Sequence, residues 1–209
     1  YIPARQIERI WAEEKTWMKV SSAATRRIRD TFNDGAAYLD YFGHGSPNIW
    51  TDERIWFGGD SPNRDAQSLK SDGRFAFVAN YTCNTGAIDY PMPRWNICIS
   101  EDLLRQPDGG AVGLFVPSGP GTTPEHEKLA QQWRRALFQD GQRRAGQAAL
   151  LARSRLALTG QFRDLVLMYG LLGDPALDLH LVARQGFATA AAASGEWVVN
   201  GKAIQPRSG

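Results

Sequence analysis

The sequence has little of the chemistry that metal sites and disulfide frameworks need. It holds two cysteines, Cys83 and Cys98, and three histidines, His44, His126 and His180. The two cysteines could pair, but nothing in the sequence demands it, and two do not make a disulfide framework. No two histidines have the spacing of a zinc site, and neither cysteine lies in a CxxC motif. We therefore expect neither a metal nor a cofactor.

Charge imbalance and long apolar runs are lacking as well. The formal net charge is +2, so nothing indicates a nucleic acid or a membrane surface as partner. No apolar run approaches the roughly 18–20 residues that a membrane span needs. The 209 residues, 43% of them hydrophobic and 22% charged, are ordinary for one globular domain with a hydrophobic core.

The chain also lacks an initiator methionine and a signal peptide at its start. It begins with Tyr1, Ile2 and Pro3, which we interpret as the start of an excised or processed piece. The cellular compartment cannot be read directly from such a start.

Apolar strands alternate with helices along most of the chain. Residues 47–73 are predicted to be mostly loop. We expect helices at residues 5–33, 99–105, 124–139 and 143–159, and strands at residues 36–42, 74–81, 111–116 and 177–182. Continuous apolar strands that alternate with helices are typical of a largely parallel sheet covered on both faces. The predicted fold class is therefore α/β.

The character of the sequence changes after residue 183. An alanine-rich stretch leads to Asn200-Gly201, a dipeptide typical of a β-hairpin. We expect residues 1–183 to form the main domain and residues 184–209 a small β appendage or a linker to a following module.

Three loops that follow predicted strands carry the candidate site. His44 and Cys83 follow the first two strands, and the loop at residues 118–123 follows the third. In α/β sheets, active sites form where loops leave the carboxyl ends of the strands. Their convergence is the best evidence for a site in this sequence.

A cysteine beside a histidine can form a thiolate nucleophile. Gly43 and Gly45 flank His44 and leave room for a substrate backbone. We expect the N–H groups of Gly45 and Cys83 to form the oxyanion hole.

The remaining candidates have simpler interpretations. The loop at residues 118–123 lacks the lysine and the spacing of a phosphate-binding loop. Because it lies beside the proposed dyad, Ser118, Gly119 and Gly121 are expected to line a substrate cleft. Cys98 is interpreted as a core thiol ahead of a helix that Ser100 caps. His126, in the first turn of a helix, is expected at the surface, and His180 is expected to be structural. Taken alone, a cysteine after an apolar strand is usually just buried, and a histidine between glycines is usually a turn residue.

Five ordered motifs between residues 20 and 182 carry a family resemblance. They are YFGHGS at residues 41–46, TDE at 51–53, TCNTG at 82–86, DGGAV at 108–112 and YGLLGDPAL at 169–177. Together they resemble the gingipain family of cysteine peptidases, peptidase family C25. The resemblance implies a caspase-like, three-layer fold with a mostly parallel sheet. It also implies a dyad that hydrolyses peptide bonds through a thioester, with His44 as general base and acid and Cys83 as nucleophile.

The resemblance also implies partners and a location. The family's domain begins further upstream, in a region that supplies the acidic group orienting the histidine and part of the specificity pocket. That part is expected to be missing or to lie on another chain, and the substrate is expected to be a peptide or protein. Members are secreted or cell-envelope bacterial proteins, although a cytoplasmic location stays open for this chain.

Two alternatives to a hydrolase remain open. The same fold can serve as a non-catalytic, caspase-like binding or assembly module. Some relatives are sortase-like transpeptidases of a bacterial secretion system, which pass the acyl group to an amine through the same thioester. The reactivity of the native thiols distinguishes the first alternative from an enzyme, and the acyl acceptor distinguishes the second from a hydrolase.

Overall fold

The computed structural model describes most of the chain. The described residues are 22–59, 64–89, 97–179 and 181, and the strand residues 197–199 and 202–204. The predicted helix before residue 22, His180 and the end of the predicted strand at 177–182 fall wholly or partly outside these ranges. In chain order the elements are α1 (Ser22–Asn33), β1 (Tyr38–Phe42), β2 (Gly45–Ser46), β3 (Ile49–Trp50), β4 (Trp56–Phe57), β5 (Ala76–Tyr81), α2 (Ile99–Leu104), β6 (Ala111–Pro117), α3 (Thr123–Arg134), α4 (Ala145–Ala157), α5 (Arg163–Met168), β7 (Tyr169–Gly173), β8 (Trp197–Val199) and β9 (Lys202–Ile204).

A four-stranded sheet with the order β1-β5-β6-β7 forms the centre of the fold. β1, β5 and β6 run parallel, and β7 is antiparallel to β6. Every residue of β5 is buried, as expected of a parallel strand covered on both faces. The α/β class and the mostly parallel sheet predicted from the sequence are confirmed.

The two faces of the sheet bury separate cores. Alternate residues of a strand point to opposite faces, so Phe77 and Phe115 pack with α3, α4 and α5, whereas Val78 and Leu114 pack with α1 and α2. Trp133 of α3 is fully buried, with its ring 4.4 Å from that of Phe115. The result is a three-layer arrangement of helices, sheet and helices.

The segment at residues 47–73, predicted to be mostly loop, contributes two strands to a small antiparallel sheet that begins at Gly45. β2, β3 and β4 form it, and Trp50 and Trp56 are both buried within it. Residues Asp65–Ser68 add a turn of 3-10 helix. Most of the described residues in this segment are loop, as predicted. The short strands were not predicted, because two-residue strands are too short to show a periodicity.

The predicted strand at residues 177–182 was wrong in its described part. Only Asp178 makes an isolated bridge there, to Arg144. The chain instead turns its carbonyl groups toward the start of α4, where Leu177 accepts from Ala145 N at 3.0 Å and Pro175 accepts from Gly146 N at 2.9 Å. The first N–H groups of a helix have no hydrogen-bond partner within the helix. The carbonyl groups of residues 175 and 177 accept hydrogen bonds from two of these N–H groups of α4.

The helices follow their predicted positions, with additions. The helix predicted at residues 124–139 is α3, followed by a π-helical turn at Arg135–Gln139. α5 was not predicted. β8 and β9 form the antiparallel hairpin that the Asn200-Gly201 pair predicts. The boundary between residues 183 and 184 stays a prediction. In the part of the chain that the structure describes, no helix is long and apolar enough to cross a membrane.

Candidate active site

The parallel pairing of β1 and β5 brings the two candidate catalytic residues to the same level. Phe42 pairs with Tyr81 at the ends of the two strands. His44 lies two residues after Phe42, and Cys83 lies two residues after Tyr81. Gly43 N donates to the carbonyl of Tyr81 at 3.4 Å, which extends the contact beyond the ladder.

The loop that carries His44 lies directly against the loop that carries Cys83. A methyl group added at Gly45 would lie 2.4 Å from Thr82 Oγ1 and 3.3 Å from the carbonyl oxygen of Cys83. Real Cβ atoms essentially never approach within 3.0 Å. Glycine at position 45 is therefore what allows this approach.

Two hydrogen bonds fix the carbonyl group of His44. Tyr41 Oη donates to its carbonyl at 2.6 Å, and Thr51 N donates to the same oxygen at 2.9 Å. Burial raises the pKa of Tyr41, so the phenol stays a donor. The His44 side chain itself is exposed.

The β2–β3 pairing determines where the Gly45 N–H points. Gly45 pairs with Trp50. The next pair along the ladder is His44 and Thr51, and it is hydrogen-bonded, because Thr51 N donates to the His44 carbonyl. Hydrogen-bonded and non-hydrogen-bonded pairs alternate along an antiparallel ladder. Gly45 and Trp50 are thus a non-hydrogen-bonded pair, and the Gly45 N–H points away from β3.

The loop after β6 provides the surroundings of the Cys83 thiol. Cys83 is partly buried, and its Sγ donates to the carbonyl of Gly121 at 3.5 Å. The next residue, Asn84, has a φ of 59° and donates its N–H to the Gly119 carbonyl at 3.1 Å. This turn directs the chain away from the sheet and leaves the sulfur beside the third loop.

The predicted cleft residues lie around this contact but do not all face it. Gly119 and Gly121 contact the cysteine loop through their carbonyl groups. Ser118 is exposed, and both its N and its Oγ donate to the carbonyl of Met168, at 2.9 and 3.1 Å. Their role as cleft residues, like the oxyanion role of Gly45 and Cys83, stays a prediction.

Glu53, in the loop that follows His44, is an acidic group whose pKa responds to the histidine. The pKa of the exposed Glu53 is lowered, first by the Thr51 side chain and to a smaller extent by the charge of His44. Solvent screens this interaction between exposed groups. The described ranges contain no group of three or more His, Cys, Asp or Glu side chains that could hold a metal ion.

Cys98 is a buried thiol, as expected, but its position in the helix differs from the prediction. Cys98 itself is the N-cap of α2, and it forms a capping box with Glu101 in place of the expected Ser100 cap. Burial raises the pKa of Cys98 to about 11. Both cysteines are free.

His126 was expected at the surface, and the structure corrects this. It is 3% exposed, and its Nδ1 lies 2.7 Å from Tyr169 Oη. His126, Leu129, Ala130 and Trp133 form the buried stripe of α3. Their helical spacing was the signal that would have placed the histidine inside.

The class that the structure establishes is a three-layer α/β domain with a mostly parallel sheet, in which His44 and Cys83 follow the ends of two adjacent parallel strands. The model of peptidase family C25 matches residues 1–180. The chain belongs to this family.

Solved structures support the same fold. The Arg-specific cysteine proteinase gingipain R superposes with a TM-score of 0.62 at 18% identity, over 78% of this chain and 37% of that chain. The complex of the Porphyromonas gingivalis RgpB pro- and mature domains gives 0.62 at 19% identity, over 78% and 37%. A structure described as a protease gives 0.60 at 15% identity, over 76% and 38%. This chain thus spans just over a third of each, and no curated protein sequence matches it.

Proposed function

We propose that this chain is the catalytic part of a cysteine endopeptidase in which Cys83 is the nucleophile and His44 transfers the proton. The observation that carries the proposal is the contact between the two strand-end loops, in which Gly45 lies against Thr82 and Cys83. Membership of peptidase family C25 supports it. The exposed His44 and the partly buried Cys83 sit at a surface that a substrate can reach.

The proposed reaction needs no cofactor. Cys83 Sγ attacks the scissile carbonyl carbon after its proton has passed to His44, and a thioester forms as the peptide C–N bond breaks. His44 gives that proton to the leaving amine and then accepts one from the water that hydrolyses the thioester. The N–H groups of Gly45 and Cys83 stabilise the oxyanion, and the orientation of Gly45 away from β3 leaves its N–H available.

The substrate and partners follow from the same proposal. The loop containing Ser118, Gly119 and Gly121 would line one side of the cleft beside Cys83. We propose that a further segment or a second chain completes the specificity pocket and supplies the acidic group that orients His44. A complex of two parts, the RgpB pro- and mature domains, is among the structures that this chain resembles. A secreted or cell-envelope location belongs to this proposal as well.

Three variants test the proposal with a peptide library as substrate. We expect Cys83→Ala to abolish cleavage and His44→Ala to reduce it by about 10²-fold or more. Cys98→Ser is the matched control, because a serine keeps the cap of α2, and it should cleave normally. Cleavage that persists in Cys83→Ala contradicts the proposal.

The products of the same assay separate hydrolysis from the alternatives. A hydrolase releases a free carboxylate even when an amine is added in excess. Transfer of the acyl group to the added amine as the main product indicates a transpeptidase. Peptide binding without any cleavage, together with equally unreactive cysteines, indicates a binding or assembly module.

A further inference from the structure

Two polar side chains lie opposite each other, one residue before the ends of β1 and β5. Tyr41 pairs with Asn80 in the parallel ladder, and both are buried, at 7% and 0% exposure. Ala79 and Tyr81 belong to the core beside α3. Asn80 between them therefore faces α1 and α2, on the same side of the sheet as Tyr41.

Tyr41 connects the core to the loop that carries His44. Its ring is stacked on that of the buried Trp50, with the centroids 4.3 Å apart, and its hydroxyl donates to the His44 carbonyl at 2.6 Å. The hydroxyl also lies against Gly43, since a methyl group added there would lie 2.8 Å from Oη. Trp50 thus holds the ring, while the hydroxyl holds the backbone that carries the imidazole.

Asn80 connects the same side of the sheet to the loop that carries Cys83. Its Nδ2 donates to Thr85 Oγ1 at 3.3 Å, and both side chains are fully buried. Its main-chain carbonyl accepts from Tyr169 Oη at 2.9 Å, which fixes the strand at this residue. Because Thr85 lies two residues beyond Cys83, the side-chain bond returns the loop to β5 and closes it around the nucleophile.

Stability alone does not explain an asparagine at position 80. Its Oδ1 has no hydrogen-bond partner in the part of the chain that the structure describes. A buried amide that uses only part of its hydrogen-bonding capacity is costlier than an apolar side chain of the same shape. Residues that break the rules of core packing in this way tend to lie at functional sites.

We propose that Tyr41 and Asn80 form a cross-strand positioning pair that fixes the His44 loop and the Cys83 loop relative to each other. Each acts through the loop that it holds, and the ladder between β1 and β5 keeps the two side chains at one level. Proton transfer needs the imidazole within hydrogen-bond reach of the thiol, and a misplacement of about 1 Å can cost roughly 10²-fold in rate. This inference rests on the proposed roles of His44 and Cys83.

The hydroxyl of Tyr41 can be removed without removing its ring. Tyr41→Phe keeps the stacking on Trp50 but loses the bond to the His44 carbonyl. Tyr38→Phe is the matched control, because Tyr38 lies on the other face of β1, where its hydroxyl accepts from Trp133 Nε1 at 2.9 Å. The measurement is the rate of Cys83 alkylation by iodoacetamide near pH 6, read by peptide mass spectrometry on the whole chain. Each variant is made with His44 present and in the His44→Ala background.

We expect Tyr41→Phe to slow the labelling of Cys83 by roughly 3- to 10-fold, which is the effect of one hydrogen bond. In the His44→Ala background it should change nothing further, because the proton acceptor is already absent. Tyr38→Phe should label at the wild-type rate. Labelling of Tyr41→Phe at the wild-type rate or faster overturns the proposal. So does an equal change in both backgrounds, which is the result of a merely structural role.

Thr85 gives the corresponding test of Asn80. Thr85→Val removes the oxygen that accepts from Asn80 and keeps the shape of the side chain, whereas Thr85→Ser keeps the oxygen. We expect Thr85→Val and Asn80→Leu to slow labelling to a similar extent, only where His44 is present, and the double variant to label no slower than either, since both break one bond. Thr85→Ser should label normally. A Thr85→Ser variant as slow as Thr85→Val, or a Thr85→Val variant as fast as the wild type, contradicts the role of Asn80.

The same measurements separate this inference from the proposed function. If His44→Ala labels at Cys83 as fast as the wild type, the dyad fails, and the positioning pair fails with it. If His44→Ala slows the labelling but Tyr41→Phe and Thr85→Val do not, only the positioning pair fails.

Discussion

Replacing Gly45 with alanine tests the contact on which the proposed site depends. The added methyl group would lie 2.4 Å from Thr82 Oγ1 and 3.2 Å from Thr82 Cγ2. Thr82 is 1% exposed, and its Oγ1 has no hydrogen-bond partner among the described residues. A short, β-branched side chain in a buried position cannot swing aside. The two loops must therefore separate.

The expected cost follows from overpacking. Forcing an extra methyl group into a packed site costs about 1–3 kcal/mol. Thr82→Ala removes both close atoms and leaves only the Cys83 carbonyl, which at 3.3 Å needs to give by a few tenths of an ångström. The double variant should therefore recover most of the loss. We expect a coupling free energy of at least about 1 kcal/mol between the two positions.

Urea unfolding of the four proteins in this cycle measures the coupling, and alkylation of Cys83 reports whether the site has opened. Gly170→Ala is the matched control, because a methyl group there meets nothing within 4 Å. It should change the free energy of unfolding by less than about 1 kcal/mol. If Gly45→Ala and Thr82→Ala are additive within about 0.5 kcal/mol, the two loops do not meet as described.

Three other perturbations have expected outcomes. Burial lowers the pKa of His126 in the folded chain. As the pH falls below about 6.5, the His126 imidazole is therefore protonated more readily in the unfolded chain than in the folded chain, which lowers the stability of the fold. The free energy of unfolding by urea should therefore drop more between pH 7.5 and 5.5 in the wild type than in His126→Asn, and parallel curves would contradict this. Trp133→Ala removes a fully buried ring stacked on Phe115 and should cost about 3–5 kcal/mol in the same measurement; a loss under 1 kcal/mol would be inconsistent with this core. Asp40→Asn weakens the 2.8 Å pair with Arg134, which is partly exposed, and should cost about 1 kcal/mol or less at low salt, with the difference shrinking in 1 M NaCl.

The main strands were predictable from the sequence because their apolar runs reflect burial on both faces. β5, at Ala76–Tyr81, is the clearest case. The small sheet of β2, β3 and β4 was not predictable, because its strands exist through the tertiary packing of Trp50 and Trp56 beside α1. The prediction of a strand after Pro175 was wrong for a related reason. Its apolar residues suggested a strand, but its carbonyl groups bond to the start of α4.

The candidate site was predictable in outline, because parallel strands place their following loops at one edge. The surroundings of the thiol were not, since the contact between Cys83 and the Gly121 carbonyl depends on two loops far apart in sequence. His126 was placed at the surface because its position in the first helical turn outweighed its helical spacing from Leu129 and Trp133. That spacing was the better guide, since it records which face of α3 is buried.

Selective alkylation of the native chain tests the central claim most directly. A limiting cysteine reagent is applied near pH 6, and peptide mass spectrometry compares the labelling of Cys83 and Cys98 in the wild type and in His44→Ala. Cys98 is 2% exposed and burial raises its pKa to about 11, so it should label slowly in both proteins. We expect rapid labelling of Cys83 that is lost in His44→Ala. Equal, slow labelling of both cysteines, or labelling of Cys83 that is unchanged in His44→Ala, would contradict the assignment of Cys83 and His44 as a catalytic dyad.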